Sequence, residues 1–422
     1  MKILLIGSGG REHCLAEKLS KSKSTEKLYC LPGNPGMLGI AEPLGLRIND
    51  YKRITEFCLT NQIDLVVVGP EAPLADGIVD ILSESNIKCF APTKAAAQLE
   101  CSKTFAKYFM RKHKIPTAKF RKICSENIDE AMEYIESHSF PIVIKADGLA
   151  AGKGVIVANN AYEAKAAVID MFKGKFKEAG KIIVVEEFLE GEEASILAIC
   201  DGNDFLLLPH SQDHKRIYDN DEGPNTGGMG AYSPTKIIND EILKKVEEQV
   251  LKPTLNYMRE EGTPFVGCLY VGLMIHNGGV NVVEYNARFG DPETQAVLAH
   301  IEGDFAKLLY SAASGNIDKS AIRIKKDLHS CCVVLASKGY PISFEKGFEI
   351  KGLENIGNED VFLYQSGTTL ENGKLLTDGG RVLSLVTVAD SLEAARKRNY
   401  EEIEKISYLN KYYRKDIALK GI

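Results

Sequence analysis

Glu284 and Asn286 lie two residues apart where a strand-like run ends, and Arg288, Asp291 and Glu293 follow closely. Side chains two apart on a strand share a face, so this pair offers a carboxylate and an amide oxygen together, with Tyr285 on the opposite side. Hard oxygens in that arrangement suit Mg2+ or Mn2+, which keeps water and takes its other ligands from phosphate. The hairpin carrying the pair is predicted to turn at Asn277-Gly278-Gly279, and its partner strand, 269–275, holds no acid. A bound nucleotide must therefore complete the coordination. Arg288 falls on the same face if the chain stays extended, where a guanidinium would stabilise a phosphoryl group in transfer. A second polar, glycine-rich stretch, 212–231, carries Asp213, His214 and Lys215 within an otherwise apolar, periodic region. Ordered loops of that kind collect catalytic groups.

Phosphate needs backbone N–H groups and cations, and the sequence offers both between predicted strands 140–146 and 155–158. The connecting loop, 147–154, contains Gly148, Gly152, Lys153 and Gly154. A Walker motif would place a hydroxyl where Gly154 stands and would continue as a helix, so this loop reads as a flap over a polyphosphate on a different scaffold. Lys145 lies inside the first strand. A buried lysine without an anion is costly to desolvate, so Lys145 and Lys153 are assigned to ATP phosphates. The following segment, 184–195, is an acidic hinge whose backbone can meet an adenine edge around Glu186, Glu187 and Leu189, with Glu193 accepting from ribose hydroxyls. Glu190 and Glu192 are assigned to solvent.

The elements that must position these groups begin with alternating strand-like and helix-like segments up to about Ala91, which predict a doubly wound parallel sheet. Gly7-Ser8-Gly9-Gly10-Arg11-Glu12 follows its first strand, and Gly69-Pro70-Glu71 follows the strand 65–68. The first turn lacks the third glycine of a dinucleotide fingerprint, since Glu12 stands there. What remains is a glycine turn at a helix N-terminus beside Arg11, suited to a phosphate.

At 422 residues the chain should divide into several domains. The division expected is an N-terminal α/β substrate domain, 1–100; a central domain, 101–325, with a small lid at about 120–190; and a C-terminal α+β closing domain, 326–422. The last carries no evident catalytic set. A net charge of −6 argues against nucleic acid as a partner, and the run Arg396-Lys397-Arg398 before Glu401, Glu402 and Glu404 reads as one solvated helix face. Ten cysteines without a Cys-x-x-Cys pair suggest reduced thiols of a cytoplasmic protein. No apolar run approaches a membrane span, and the first strand turns at Gly7 before a signal-peptide core could form.

The glycine flap, acidic hinge and strand-borne Glu/Asn pair resemble the ATP-grasp enzymes. Three runs are more specific: Gln212-Asp213-His214-Lys215-Arg216, Gly223-Pro224-Asn225-Thr226-Gly227-Gly228-Met229-Gly230 and Arg288-Phe289-Gly290-Asp291-Pro292-Glu293. They are similar to those of the phosphoribosylamine-glycine ligase family, the glycinamide ribonucleotide synthetases, and the likeness extends over essentially the whole chain. It implies phosphorylation of the glycine carboxylate by ATP and attack of 5-phosphoribosylamine on the acyl phosphate, within purine synthesis. The nucleotide set implied is Lys103, Lys145, Gly152, Lys153, Gly154, Glu186, Glu187, Leu189 and Glu193. Asp213 would hold the glycine ammonium, with Lys215, Arg288 and Asp291 around the reacting groups. Gly9, Gly10, Arg11, Glu12, Glu71 and Gly290 would receive phosphoribosylamine, and Glu284 and Asn286 the metal. No covalent enzyme intermediate is required, and a monomer is favoured. The readings set against this one are another ATP-grasp carboxylate-amine ligase, a biotin-dependent carboxylase, a dinucleotide oxidoreductase and a non-catalytic nucleotide-binding module. A carboxylase would want acids on both strands of the metal hairpin.

Overall fold

Near-continuous apolar runs, such as Ile3 to Ile6 with no exposed surface, cannot alternate between core and solvent and so form strands covered on both faces. The computed structural model describes residues 1–149, 154–357 and 359–422. Its N-terminal sheet has five parallel strands in the order Glu42–Pro43, Lys27–Pro32, Lys2–Gly7, Leu65–Val68, Cys89–Phe90. The chain leaves Lys2–Gly7 toward one side and returns on the other, which makes the gap beside this strand a switch point where ligands bind. The turns after Lys2–Gly7 and after Leu65–Val68 both open there.

The lid is a four-stranded antiparallel sheet ordered Phe120–Cys124, Ile182–Glu187, Ile142–Ala146, Val155–Ala158. Ile128–Glu136 and Ala161–Asp170 cover it, and Ile123, Ile135, Ile144, Val168 and Val185 form a core of its own. The body sheet runs Phe205–Leu207, Glu192–Asp201, Val266–His276, Gly279–Asn286. Its hairpin turns at Asn277 and Gly278, whose φ values of 48° and 74° suit the Asn-Gly pair of a tight hairpin.

The glycine-rich stretch 212–231, expected as loops, contributes strands Gln212–Asp213 and Gly230–Ser233. These extend a sheet whose other members include His329–Ser337, Arg381–Ala389 and Val361–Gln365. The helix Leu392–Ile403 packs on that sheet, capped by Ser391 Oγ accepting from Ala394 N at 3.2 Å. Its basic run is not a simple solvated face: Arg396 donates to the carbonyls of Ile417 and Lys415, and Arg398 to that of Glu359. Arg396 ties residues 415–417 to the helix and Arg398 ties Glu359 to it, a demand that charge counting cannot reveal. All ten cysteines are free, and among the described residues no helix is long and apolar enough to cross a membrane.

Candidate active site

A cavity of about 1130 Å³ opens between the N-terminal switch point, the lid, the body hairpin and the C-terminal sheet. At the lid end, Lys145 Nζ lies 3.0 Å from Glu186 Oε2 and donates to the carbonyl of Val283 at 3.1 Å. Lys107, on the helix Lys103–Lys112, reaches the same carboxylate oxygen at 2.8 Å. Lys103 donates to Gly148 O at 3.3 Å, and burial holds its ammonium below the ordinary lysine range. Gly154, Phe188 and Leu189 also line this end. Glu187 instead turns outward, accepting from Lys119 N at 2.9 Å. Gly152 and Lys153 lie outside the described residues.

The Glu284/Asn286 pair owes its direction to a bulge. Gly272 pairs with Glu284 and Leu273 with Val282, so Val283 is an extra residue in the strand. Before it, Val280 and Val282 face the core; after it, Tyr285 does, and Glu284 and Asn286 line the cavity. Strict alternation would have set Glu284 on the same side as Val282. The bulge also frees the Val283 carbonyl that Lys145 uses. Burial opposes ionisation of Glu284, but Lys215, Lys145, Lys103 and Arg288 outweigh it and hold the carboxyl below its usual value. Asn286 Oδ1 accepts from Arg288 Nη2 at 3.2 Å and keeps a second lone pair. Among the described residues no cluster of three or more His, Cys, Asp or Glu could enclose a metal. Two hard oxygens of this kind fit a divalent cation that draws its remaining ligands from water and phosphate.

Lys215 Nζ lies 2.5 Å from Glu193 Oε2 and 3.8 Å from Glu284 Oε1. Burial works against its charge, yet Asp213 and Glu193 hold its ammonium well above the ordinary value. Asp213 is pushed up by burial. Beside it, Tyr270 OH bridges Ser195 Oγ at 2.9 Å and Glu293 Oε1 at 3.1 Å. Burial, with the nearby Asp213 charge adding to it, pushes the Glu293 carboxyl up to about 7. His214 is buried with Nδ1 unpartnered among the described residues, and burial lowers it to about 3, so its ring is neutral at ordinary pH.

At the opposite end, Arg288 Nη2 lies 3.0 Å from Glu100 Oε1 and its Nε 3.5 Å from Glu71 Oε2. Glu100 also accepts from Ala287 N at 2.7 Å. Arg11 Nε lies 2.5 Å from Glu12 Oε1 and donates from Nη1 to Phe289 O at 3.0 Å. Glu12 Oε2 accepts from Gly9 N at 2.7 Å, folding back across the glycine turn. A Cβ on Gly69 would come within 2.1 Å of that carboxylate, so the glycines admit Glu12 itself. Asp291 lies 3.2 Å from Arg381 and accepts from Gln295 at 2.8 Å. Burial opposes ionisation of Asp291, but Arg381 and Arg11 prevail and hold its carboxyl low.

Comparison with known proteins places this geometry. The phosphoribosylglycinamide synthetase models match along the chain: the N domain over residues 1–100, the ATP-grasp (A) domain over 101–294 and the C domain over 330–420. The chain is 45% identical over 419 residues to the phosphoribosylamine–glycine ligase of Caldanaerobacter subterraneus subsp. tengcongensis, covering 99% of each. It is 47% identical over 420 residues to that of Clostridium acetobutylicum, again covering 99% of each. The chain belongs to the phosphoribosylglycinamide synthetase family.

The crystal structure of phosphoribosylamine–glycine ligase from Thermotoga maritima superposes with a TM-score of 0.86 at 34% identity, covering 99% of this chain and 100% of that one. A 2-oxoglutarate carboxylase biotin carboxylase domain from Hydrogenobacter thermophilus shares the fold, with a TM-score of 0.74 at 15% identity over 97% of this chain and 91% of that one. Synthetase membership and carboxylase likeness therefore coexist at the level of fold. On the hairpin of this chain Gly272 stands opposite Glu284.

Most residues anticipated for this synthetase site do meet: Lys103, Lys145, Gly154, Glu186, Leu189, Glu193, Asp213, Lys215, Glu284, Asn286, Arg288, Asp291, Gly9, Arg11, Glu12 and Glu71 all line the cavity. Glu192, assigned to solvent, reaches its rim. Gly10 and Gly290 do not line it. A Cβ at Gly10 would meet Ser366 Oγ at 2.7 Å, and one at Gly290 would meet Glu293 Oε2 at 2.6 Å, so both make room for neighbours. Sequence reasoning missed Lys107, Glu100, Tyr270 and Arg381, and gave Glu293 no role. The C-terminal region does supply the site, through Arg381, Tyr340 and Lys420. Only Glu293 carried a usable signal, standing within the run that holds Arg288 and Asp291.

Proposed function

We infer that this chain condenses glycine with 5-phosphoribosylamine, using ATP, to give glycinamide ribonucleotide, ADP and phosphate in de novo purine biosynthesis. The observation that carries this reading is one cavity holding lysines at its lid end, the Glu284/Asn286 pair and Arg288 at its centre, and the Asp213, Glu293 and Asp291 carboxylates beside them. A carboxylate resists attack by an amine until one oxygen becomes a leaving group. In the first step a glycine carboxylate oxygen attacks the γ-phosphorus and the bond to the ADP oxygen breaks. In the second the amine nitrogen attacks the acyl carbon, phosphate departs with the carbon–oxygen electron pair, and the amine loses a proton.

Lys145 and Lys103 are assigned to the nucleotide phosphates, and the hinge backbone around Glu186 and Leu189 to the base. Glu193 keeps Lys215 on Oε2 and offers Oε1 to ribose. Glu284 and Asn286 would hold Mg2+ or Mn2+, which supplies charge neutralisation at the phosphates when bound. Arg288 is fixed by Glu71 and Glu100 where charge develops on the transferring group. Asp213 holds the glycine ammonium while Lys215 and Asp291 position the reacting ends. Arg11, Glu12 and Glu71 receive phosphoribosylamine. One chain supplies every group named, so a cytoplasmic monomer acting on small molecules is the accompanying reading.

The test is ADP release by the purified protein with Mg2+, ATP, glycine and freshly generated phosphoribosylamine, omitting each in turn. Turnover requiring all of them, with glycinamide ribonucleotide as product, is expected. Turnover with another acid or amine would retain the ATP chemistry and overturn the substrates.

A further inference from the structure

Lys107 has no part in the chemistry above, yet it is 2% exposed and carries an ammonium. Its Nζ lies 2.8 Å from Glu186 Oε2 and donates to Thr117 Oγ1 at 2.8 Å. Thr117 in turn donates to the carbonyl of Val282 at 2.7 Å and bridges that residue in parallel. The lid strand Ile182–Glu187 is thereby joined to the body strand Gly279–Asn286 through one ammonium and one hydroxyl. Lys145 makes a parallel connection, from the same oxygen of Glu186 to the carbonyl of Val283, the next residue along the body strand.

Two ammonium groups thus share one carboxylate oxygen, while Glu186 Oε1 has no partner among the described residues. Lys145 spends two of its three N–H donors on Glu186 and Val283, so the charge it turns to a nucleotide phosphate is charge withdrawn from Glu186. Glu186 is 4% exposed, and a carboxylate so buried that lost its counter-ion would strongly oppose the move. Lys145 can leave at low cost only if another cation stays. Lys107 is tied on both sides, by Glu186 and by Thr117, and its helix is capped by Ser102 Oγ accepting from Phe105 N at 3.0 Å. It stays where it is.

We propose that Lys107 is a positioning residue, the resident counter-ion of Glu186 that releases Lys145 to the phosphates of the bound nucleotide. This rests on the nucleotide reading of the cavity. Lys107 touches neither substrate nor reacting atoms and acts through the charge it leaves free elsewhere.

The experiment is calorimetric titration of the full chain with a non-hydrolysable ATP analogue and Mg2+, for the wild type, Lys107→Met, Glu186→Gln and the double variant. Lys107→Met is expected to weaken the analogue about tenfold or more, because Lys145 must then strand a buried carboxylate. Its KM for ATP should rise in step, with the KM for glycine unchanged. The double variant should recover most of the affinity lost by Lys107→Met and should bind the analogue as Glu186→Gln alone does, because a neutral Glu186 side chain needs no counter-ion. A role confined to packing would not be rescued by neutralising Glu186. Lys107→Met binding like the wild type, or a double variant no better than Lys107→Met, overturns the proposal. If Lys107→Met does not fold, a double variant that binds the analogue about tenfold or more below Glu186→Gln overturns it. A wild type that binds no analogue sinks the nucleotide reading itself, which is a separate and visible failure.

Discussion

At the lid end two lysines, Lys107 and Lys145, share one carboxylate, Glu186; at the opposite end, the acceptor end of the proposed function, one arginine, Arg288, faces two carboxylates, Glu71 and Glu100. The ratios are inverted. The first arrangement has a cation to spare and draws in a polyanion. The second has none to spare, and a planar guanidinium held from two sides is fixed in orientation before any substrate arrives. On the proposed function, the cavity thereby separates the task of attracting charge from the task of placing it. The regions also differ in span: Lys107, Lys145 and Glu186 fall within residues 107–186, whereas Glu71, Glu100, Arg288, Asp291 and Arg381 are drawn from residues 71–381.

Arg288→Met should break this contrast most severely. It removes the charge stabiliser and leaves Glu100 buried without its partner, so kcat should fall by roughly 10²–10³ and the melting temperature should drop. Steady-state kinetics and thermal melts check both. An unchanged kcat would reduce Arg288 to a structural ion pair and leave the acceptor end without its placing group.

Arg381→Met sharpens the distinction between the ends. Arg381 holds the Asp291 carboxylate and also donates to the backbone carbonyls of Gly227 and Asp291. Its loss should raise KM for phosphoribosylamine by about tenfold, the scale of a lost charge-assisted contact. KM for ATP should stay near the wild-type value. Equal effects on both would mean that the C-terminal sheet props up the whole cavity.

Glu293 tests the middle. Its folded carboxyl titrates at about 7 against an ordinary 4.5, so the native state holds this proton more tightly than the unfolded chain. Its contribution is therefore full below the unfolded value and is lost as pH rises through the window from about 4.5 to 7. Glu293→Gln should have a flatter stability profile across that window and a relative gain at pH 8, read from denaturant melts at several pH values. A parallel profile would place the ionised form of Glu293 in the native state.

His214→Asn should do least. A ring lowered to about 3 is neutral throughout the working range, so kcat should change by no more than about twofold and the pH profile above pH 5 should keep its shape. A shifted profile would make His214 a titrating participant.

Legibility in the sequence followed the range of the interaction. Glu284, Asn286 and Arg288 could be read because strand periodicity and side-chain chemistry act within a few residues. The direction in which Glu284 points could not, because it depends on a bulge set by pairing with Leu273 and Gly272 across the hairpin. The turn at Gly7 to Gly10 was legible as a glycine turn, but the room that Glu12 takes is made jointly by Gly7 and Gly9 in that turn and by Gly69, which belongs to another strand end. Arg381 was invisible for the same reason: nothing in its neighbours marks it, and Asp291 meets it only after the C-terminal sheet has docked.

By itself the sequence determined which groups could do the chemistry, the periodic runs that become strands, and the family likeness carried by 212–216, 223–230 and 288–293. Only the tertiary structure decided which charges stand against which. A side chain's type is local, but the field it feels and the partner it keeps come from chain segments brought together by burying apolar surface.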